Sequence, residues 1–187
     1  MSRIGRGTEE KGTVLLITGP AASGKTSVAN QIAGQSTEPS VHLHGDDFFH
    51  SLKVGRLRGW EEGSTPQHEV VFEAIGNAAS AFANGGYLVV LDSLIRPRYL
   101  DIVSDIIMSN SIELHFVVLR PSLSETHSRS SERDEAKRHR NEVLEELHGA
   151  FLDLGDLESH VIDNTSLGVD QTVVEIRSRL GRGDLRM

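Results

Sequence analysis

Short apolar runs alternate with longer amphipathic stretches along this chain. Thr13–Thr18 (TVLLIT), Val41–Gly45 (VHLHG), Tyr87–Asp92 (YLVVLD), Ile112–Arg120 (IELHFVVLR) and Ser159–Asn164 (SHVIDN) are short and rich in apolar or β-branched residues, which predicts five strands. Between them fall helical patterns: Lys25–Gly34; a long helix opened by Pro66, apolar at Val70, Val71, Ala74, Ala78, Ala81 and Phe82 and closed by Gly85-Gly86; one from Pro97 to about Asn110; one starting at Pro121-Ser122; and one over Asp170–Leu180. Residues 46–65 are polar with several glycines and predict irregular chain, whereas 129–148 are highly charged and predict helix in pieces. Strands alternating with helices imply an α/β fold, a parallel sheet covered on both faces. One domain over 13–181 is expected, with loose ends at 1–12 and 182–187.

Composition narrows the class. At 187 residues and 37% hydrophobic content the chain can build a core, and no apolar run approaches the ~20 residues of a membrane span. The start, MSRIGRGTEEKG, lacks the apolar centre of a secretory signal, and there is no cysteine for disulfides or thiolate metal sites, so a cytoplasmic protein without a membrane partner is expected. A net charge of -8 disfavours bulk nucleic-acid binding and leaves a small-molecule partner as the expectation. A local basic cluster, Arg133–Arg140 (RDEAKRHR), could still serve a small anion.

The sharpest motif lies between the first strand and the first helix. Gly19-Pro20-Ala21-Ala22-Ser23-Gly24-Lys25-Thr26 fits G-x-x-x-x-G-K-[ST], with Ser27 following. A phosphate chain needs several backbone N–H groups aimed at it, and glycines let the backbone curl that tightly. The helix beginning near Lys25 adds its N-terminal amides and partial positive charge. Lys25 would reach the β- and γ-phosphates of a bound nucleotide, and the Thr26 hydroxyl would serve Mg²⁺, a hard ion that takes oxygen ligands.

Ligands of open α/β sheets bind beyond the carboxyl ends of the strands, and two further strands end in acids. Asp92 has the form of a residue near the magnesium. Asp46 and Asp47 are adjacent and, in extended chain, point to opposite sides. Asp46 is expected to face the crevice as the base that accepts a proton from the acceptor hydroxyl, and Asp47 to cap or join the metal shell. His42 and His44 have no third ligand at metal spacing and are expected to be satisfied within or beside the sheet.

On GPAASGKT and on HGDDFFH (His44–His50), the chain resembles the P-loop small-molecule kinases of the nucleoside-monophosphate-kinase-like group, among them gluconate kinase, shikimate kinase, chloramphenicol phosphotransferase and cytidylate kinase. The resemblance runs from about residue 13 to 180. It implies a three-layer α/β/α P-loop fold with strand order 2-3-1-4-5, a magnesium-ATP donor, and a helical lid over about 129–148. By that likeness Asp46 falls on the catalytic aspartate. Arg129 and Arg133, four apart and so on one helical face, fall where lid arginines meet ATP and the transferring phosphoryl group, and Asn164-Thr165 fall where adenine is often cradled.

The acceptor side is read from charge. Arg56, Arg58, Arg96 and Arg98, with Lys53 nearby, would neutralise an anionic acceptor, and Trp60 would stack on a base or sugar. The expected activity is phosphoryl transfer from Mg-ATP to a small hydroxyl- or phosphate-bearing metabolite by a monomer or homodimer. Two rival expectations are a nucleotide-switched binding protein or ATPase, and a kinase of polynucleotide ends.

Overall fold

β1 (Thr13–Thr18) lies at the centre of the sheet, and everything else is arranged about it. In the computed structural model, which describes residues 11–59, 61–132 and 140–187, β1 pairs in parallel with β3 (Leu88–Asp92) on one side and β4 (Glu113–Leu119) on the other. β2 (Ser40–His44) flanks β3 and β5 (Val161–Ile162) flanks β4, giving a five-stranded all-parallel sheet of order β2-β3-β1-β4-β5. This is the order implied by the resemblance.

Alternate residues of a strand face opposite sides, so β1 feeds two core layers. Val14 and Leu16 join a layer with α3 (Ser64–Asn84) and α4 (Leu100–Ser109), while Leu15 and Ile17 join another with α1 (Lys25–Gly34) and α7 (Val169–Arg182). Burial on both faces is why β1 is apolar without interruption, each such side chain contributing about 1.5–3 kcal/mol. α2 (Gly45–Ser51), α5 (Leu123–Ser131) and α6 (Asn141–Gly149) lie at the carboxyl ends of the strands or beyond them.

Several sequence expectations change. Residues 45–51 form a helix directly after β2, not irregular chain. Asp46 and Asp47 therefore stand in the first turn of a helix, where carboxylates are favoured by the unpaired amides, and not in extended backbone. α3 buries Val71, Phe72, Ile75, Ala79 and Ala83, whereas Val70 and Phe82 are exposed. The stripe that meets β1 and β3 runs one position further along the helix than the apolar count indicated, because Phe72 and Ile75 carry the bulk. β5 is only two residues long and is preceded by a 3-10 turn over Gly155–His160.

Described residues at the margins of both expected loose ends make attachments. The Gly12 amide donates to the Ala83 carbonyl at 2.8 Å, and Lys11 reaches the Asn110 carbonyl at 2.5 Å. At the other end Leu185 is fully buried, the Phe116 amide donates to the Leu185 carbonyl at 2.8 Å, and the Met187 amide donates to the Leu114 carbonyl at 3.0 Å. An antiparallel bridge between His115 and Arg186 thus covers the part of the β4 edge that short β5 leaves open. No helix among the described residues is long and apolar enough to cross a membrane.

Candidate active site

The loop after β1 takes its shape from two glycines. Gly19 has φ 139°, and a Cβ there would overlap the carbonyl of Leu119, the last residue of β4. Gly24 has φ 94° and caps α1 in the left-handed region, and Ala22 between them also has positive φ, 61°. The chain therefore curls so that the first turn of α1 points into the loop. That turn has no acidic residue and no side-chain cap, so its unpaired amides keep their partial positive charge for an anion. The Lys25 ammonium folds back across the loop onto the carbonyls of Gly19 (3.0 Å) and Pro20 (2.8 Å).

A cleft of about 170 Å³ opens here, lined by Ala21, Ala22, Gly24, Lys25, Thr26, Ser27, Asp46 and Leu94. Asp46 arrives from α2 because Gly45 lets that helix start hard against the end of β3: a Cβ on Gly45 would lie 2.5 Å from Cβ and Oγ of Ser93. Leu94 is held by its neighbour Ile95, whose amide and carbonyl both bond the Thr18 hydroxyl, at 3.0 and 3.1 Å. Asp47 is exposed beside Asp46 and does not line the cleft.

Asp92 ends β3 beneath the loop and is 1% exposed. Its Oδ2 accepts from the Thr26 hydroxyl at 2.7 Å. Its Oδ1 lies 2.6 Å from His42 Nε2 and 3.0 Å from His44 Nδ1. Burial pushes the Asp92 pKa up, but the hydrogen bonds of His42, Thr26 and His44 together outweigh it and hold the carboxyl below its usual range. The third group that His42 and His44 lack in the local sequence is thus supplied from the neighbouring strand, where register sets His44 opposite Asp92. A metal-type trio that the sequence reading set aside exists for that reason.

On the far side of the loop, Arg129 on α5 donates from Nη2 to the Asn164 carbonyl at 2.8 Å and from Nη1 to the Ser23 carbonyl at 3.4 Å, with Nε on Glu125 at 2.8 Å. Asn164, buried, donates from Nδ2 to the same Ser23 carbonyl at 2.9 Å. Thr165 bonds the Ser122 amide and the Asp163 carboxylate. Arg129 and Asn164 therefore join the loop after β5 to the phosphate-type loop, while Thr165 ties it to the start of α5. Arg133 and Trp60, together with Arg138 of the basic cluster, lie outside the described residues.

None of the acceptor-side arginines Arg56, Arg58, Arg96 and Arg98 lines the cleft. Burial, then the guanidinium charges of Arg96, Arg98 and Arg56, lower the pKa of His68. His68 packs edge-on to Phe49 (5.0 Å) and Tyr99 (5.8 Å), and the Arg98 guanidinium lies over the Tyr99 ring at 4.7 Å. Arg96 also bonds Glu146 of α6 at 2.8 Å. Arg58 is exposed in the segment before α3, its amide bonded to the Glu61 carboxylate. Sequence reasoning missed Gly45, Ser93, Leu94 and His68. Of these, only Gly45 carried a local signal, as a glycine immediately before paired acids.

Comparison with known proteins agrees with this geometry. The sequence profile described as chloramphenicol phosphotransferase-like protein matches residues 12–180. No curated protein matches the chain. Among solved structures, a sugar kinase from Janibacter sp. is similar at 16% identity and TM-score 0.71, over 91% of this chain and 95% of that one. The tunicamycin resistance protein of Deinococcus radiodurans is similar at 15% identity and TM-score 0.69, over 91% and 96%. An APS kinase of Mycobacterium tuberculosis, in complex with AMPPNP and APS, is similar at 18% identity and TM-score 0.69, over 92% and 99%. At these identities the likeness is one of fold.

Proposed function

The chain belongs to the chloramphenicol phosphotransferase-like family and is a P-loop kinase, and from that premise we propose that it transfers the γ-phosphoryl group of ATP, with Mg²⁺, to a hydroxyl or phosphate oxygen of a small molecule. The observation that carries this reading is one cleft lined together by the phosphate-type loop, Lys25, Thr26 and Asp46.

The residues fit the groups they would hold. The acid-free start of α1 and the backbone amides of Ala21, Ala22 and Gly24–Ser27 suit the triphosphate. The Thr26 hydroxyl and the Asp92 carboxylate form an oxygen pair, the donor type that magnesium takes. Mg²⁺, when bound, neutralises charge on the phosphate oxygens. Lys25 leaves the carbonyls of Gly19 and Pro20 and follows the β- and γ-phosphates. Asp46 accepts the proton of the attacking hydroxyl, and Asp47, exposed beside it in the first turn of α2, would join the metal shell. Arg129 holds the Ser23 carbonyl and keeps positive charge beside Gly24, while Asn164 and Thr165 border the place for the base. The acceptor enters over Arg56, Arg58, Arg96 and Arg98, and Trp60 and Arg133 belong to the same proposal from sequence alone. Catalysis is then mainly positioning and charge neutralisation.

The test is a panel of small hydroxylated and phosphorylated acceptors, scored by acceptor-dependent release of ADP. One or more acceptors should raise ADP formation well above the water-only rate, and Asp46→Asn should lower that turnover by about 10²–10⁴-fold with little change in KM for ATP. ADP release that no acceptor stimulates, or full turnover in the Asn variant, would contradict the reading.

A further inference from the structure

Two imidazole nitrogens and a carboxylate oxygen converge where β2 and β3 end. His42, His44 and Asp92 each offer one ligand atom within 4.8 Å of the others, and Asp92 Oδ1 lies 2.6 Å from His42 Nε2 and 3.0 Å from His44 Nδ1. The placement follows from two rigid strands: residues i and i+2 of β2 share a face, and the parallel register sets His44 beside Asp92. The carboxylate is buried at 1% exposure while the imidazoles are 19% and 29% exposed, so the trio has a buried anion at its base and a route to water on the histidine side.

The donor set discriminates among cations. Magnesium and calcium take oxygen and dehydrate to nitrogen reluctantly, whereas neutral imidazole is a preferred ligand of zinc and the other late first-row divalent ions. Asp92 divides accordingly: Oδ2 faces the Thr26 hydroxyl at 2.7 Å, and Oδ1 faces the two histidines. We propose that His42, His44 and Asp92 form a transition-metal site of the Zn²⁺ class, with its remaining position open to water, separate from the oxygen pair of Thr26 and Asp92 Oδ2.

In the present arrangement the imidazoles contact the carboxylate at hydrogen-bond distances, 2.6 and 3.0 Å. Metal binding replaces these contacts. The proton on each coordinating nitrogen moves to the other nitrogen of its ring, leaving both imidazoles neutral and each lone pair on the ion. Bonds of about 2.1 Å at tetrahedral angles require ligand atoms about 3.4 Å apart. The 2.6 Å contact therefore widens, which rotation of the partly exposed rings accomplishes.

The experiment uses the full chain, treated with chelator and free of nucleotide, so that its result is independent of the phosphoryl-transfer reading. Zn²⁺ titrated in a calorimeter should bind at one equivalent with a dissociation constant in the micromolar range or tighter. Co²⁺ should give a visible d–d absorption that Zn²⁺ abolishes. His42→Ala and His44→Ala should each weaken binding by about ten-fold or more. In the unmutated protein, Zn²⁺ should shift the imidazole ¹⁵N resonances of His42 Nε2 and His44 Nδ1, a measurement that stands even where a variant does not fold. Absence of heat and of absorption at millimolar metal, equal affinity in the double variant, or unmoved resonances of these two histidines would overturn the proposal.

Discussion

The Thr26 hydroxyl donates to Asp92 Oδ2 at 2.7 Å, joining the first turn of α1 to the end of β3. These residues are 66 positions apart in sequence, and the contact exists because β1 and β3 are paired with Ile17 beside Asp92. Asp92→Asn keeps an oxygen for Thr26 but removes the charge. The expected result is a higher Mg²⁺ concentration for half-maximal rate and about a 10–100-fold loss of turnover. Initial rates across a magnesium titration at fixed ATP check this, and an unchanged magnesium midpoint would remove Asp92 from the proposed role.

Gly45→Ala tests how Asp46 is aimed. The added Cβ would lie 2.5 Å from the Ser93 side chain, so α2 must move away from β3. The expected cost is about 1–3 kcal/mol of stability, read from the denaturant midpoint. Turnover should fall in the same variant, because the first turn of α2 carries Asp46, while nucleotide binding at the loop is retained. A variant with wild-type stability and rate would show that the close approach is dispensable.

His68 gives the molecule a pH dependence of definite sign. Burial, then Arg96, Arg98 and Arg56, lower its pKa, so the unfolded chain binds a proton more readily than the folded one. The stabilising contribution is complete above the ordinary histidine range, about 6.5, and is lost as the pH falls through the depressed folded value. Wild-type protein should therefore lose more thermal stability than His68→Gln between pH 7.5 and pH 5.5. His115, lowered chiefly by burial, has the same sign and is present in both proteins, so the difference isolates His68. Equal losses in the two proteins would count against the surrounding cations.

Leu185→Ala should cost about 2–5 kcal/mol, the range for emptying a buried leucine site. Leu185 is fully buried against the α1 and α7 layer, and its carbonyl accepts from Phe116 on β4. Urea unfolding measures the cost, and a change below about 0.5 kcal/mol would mean that the terminal segment is loosely held.

The parts of this structure legible in the sequence are those set by local pattern. The bounds of β1 and α1 follow from an apolar run, a glycine loop and a short helix. The strand order came only from resemblance, since periodicity does not say which strands are neighbours. α2 was hidden because GDDFFHS is short and polar at its start, and its position depends on a glycine meeting Ser93 some 48 residues on. The trio of His42, His44 and Asp92 was hidden for the same kind of reason, since it needs the register of two strands. The anchoring of Leu185 depends on an edge exposed by the shortness of β5, which no pattern near residue 185 reports.

The central place of β1 has a kinetic consequence. Its partners arrive late in the chain: Val14 pairs with Val89 and Thr13 with Glu113. Such high contact order makes assembly slow relative to a helical protein of equal length, and Gly19 cannot take its final form until the Leu119 carbonyl is in place. A nucleotide gripping this loop would therefore act as a latch on the most distant pairings in the molecule, and its occupancy should slow the rate at which the whole sheet comes apart.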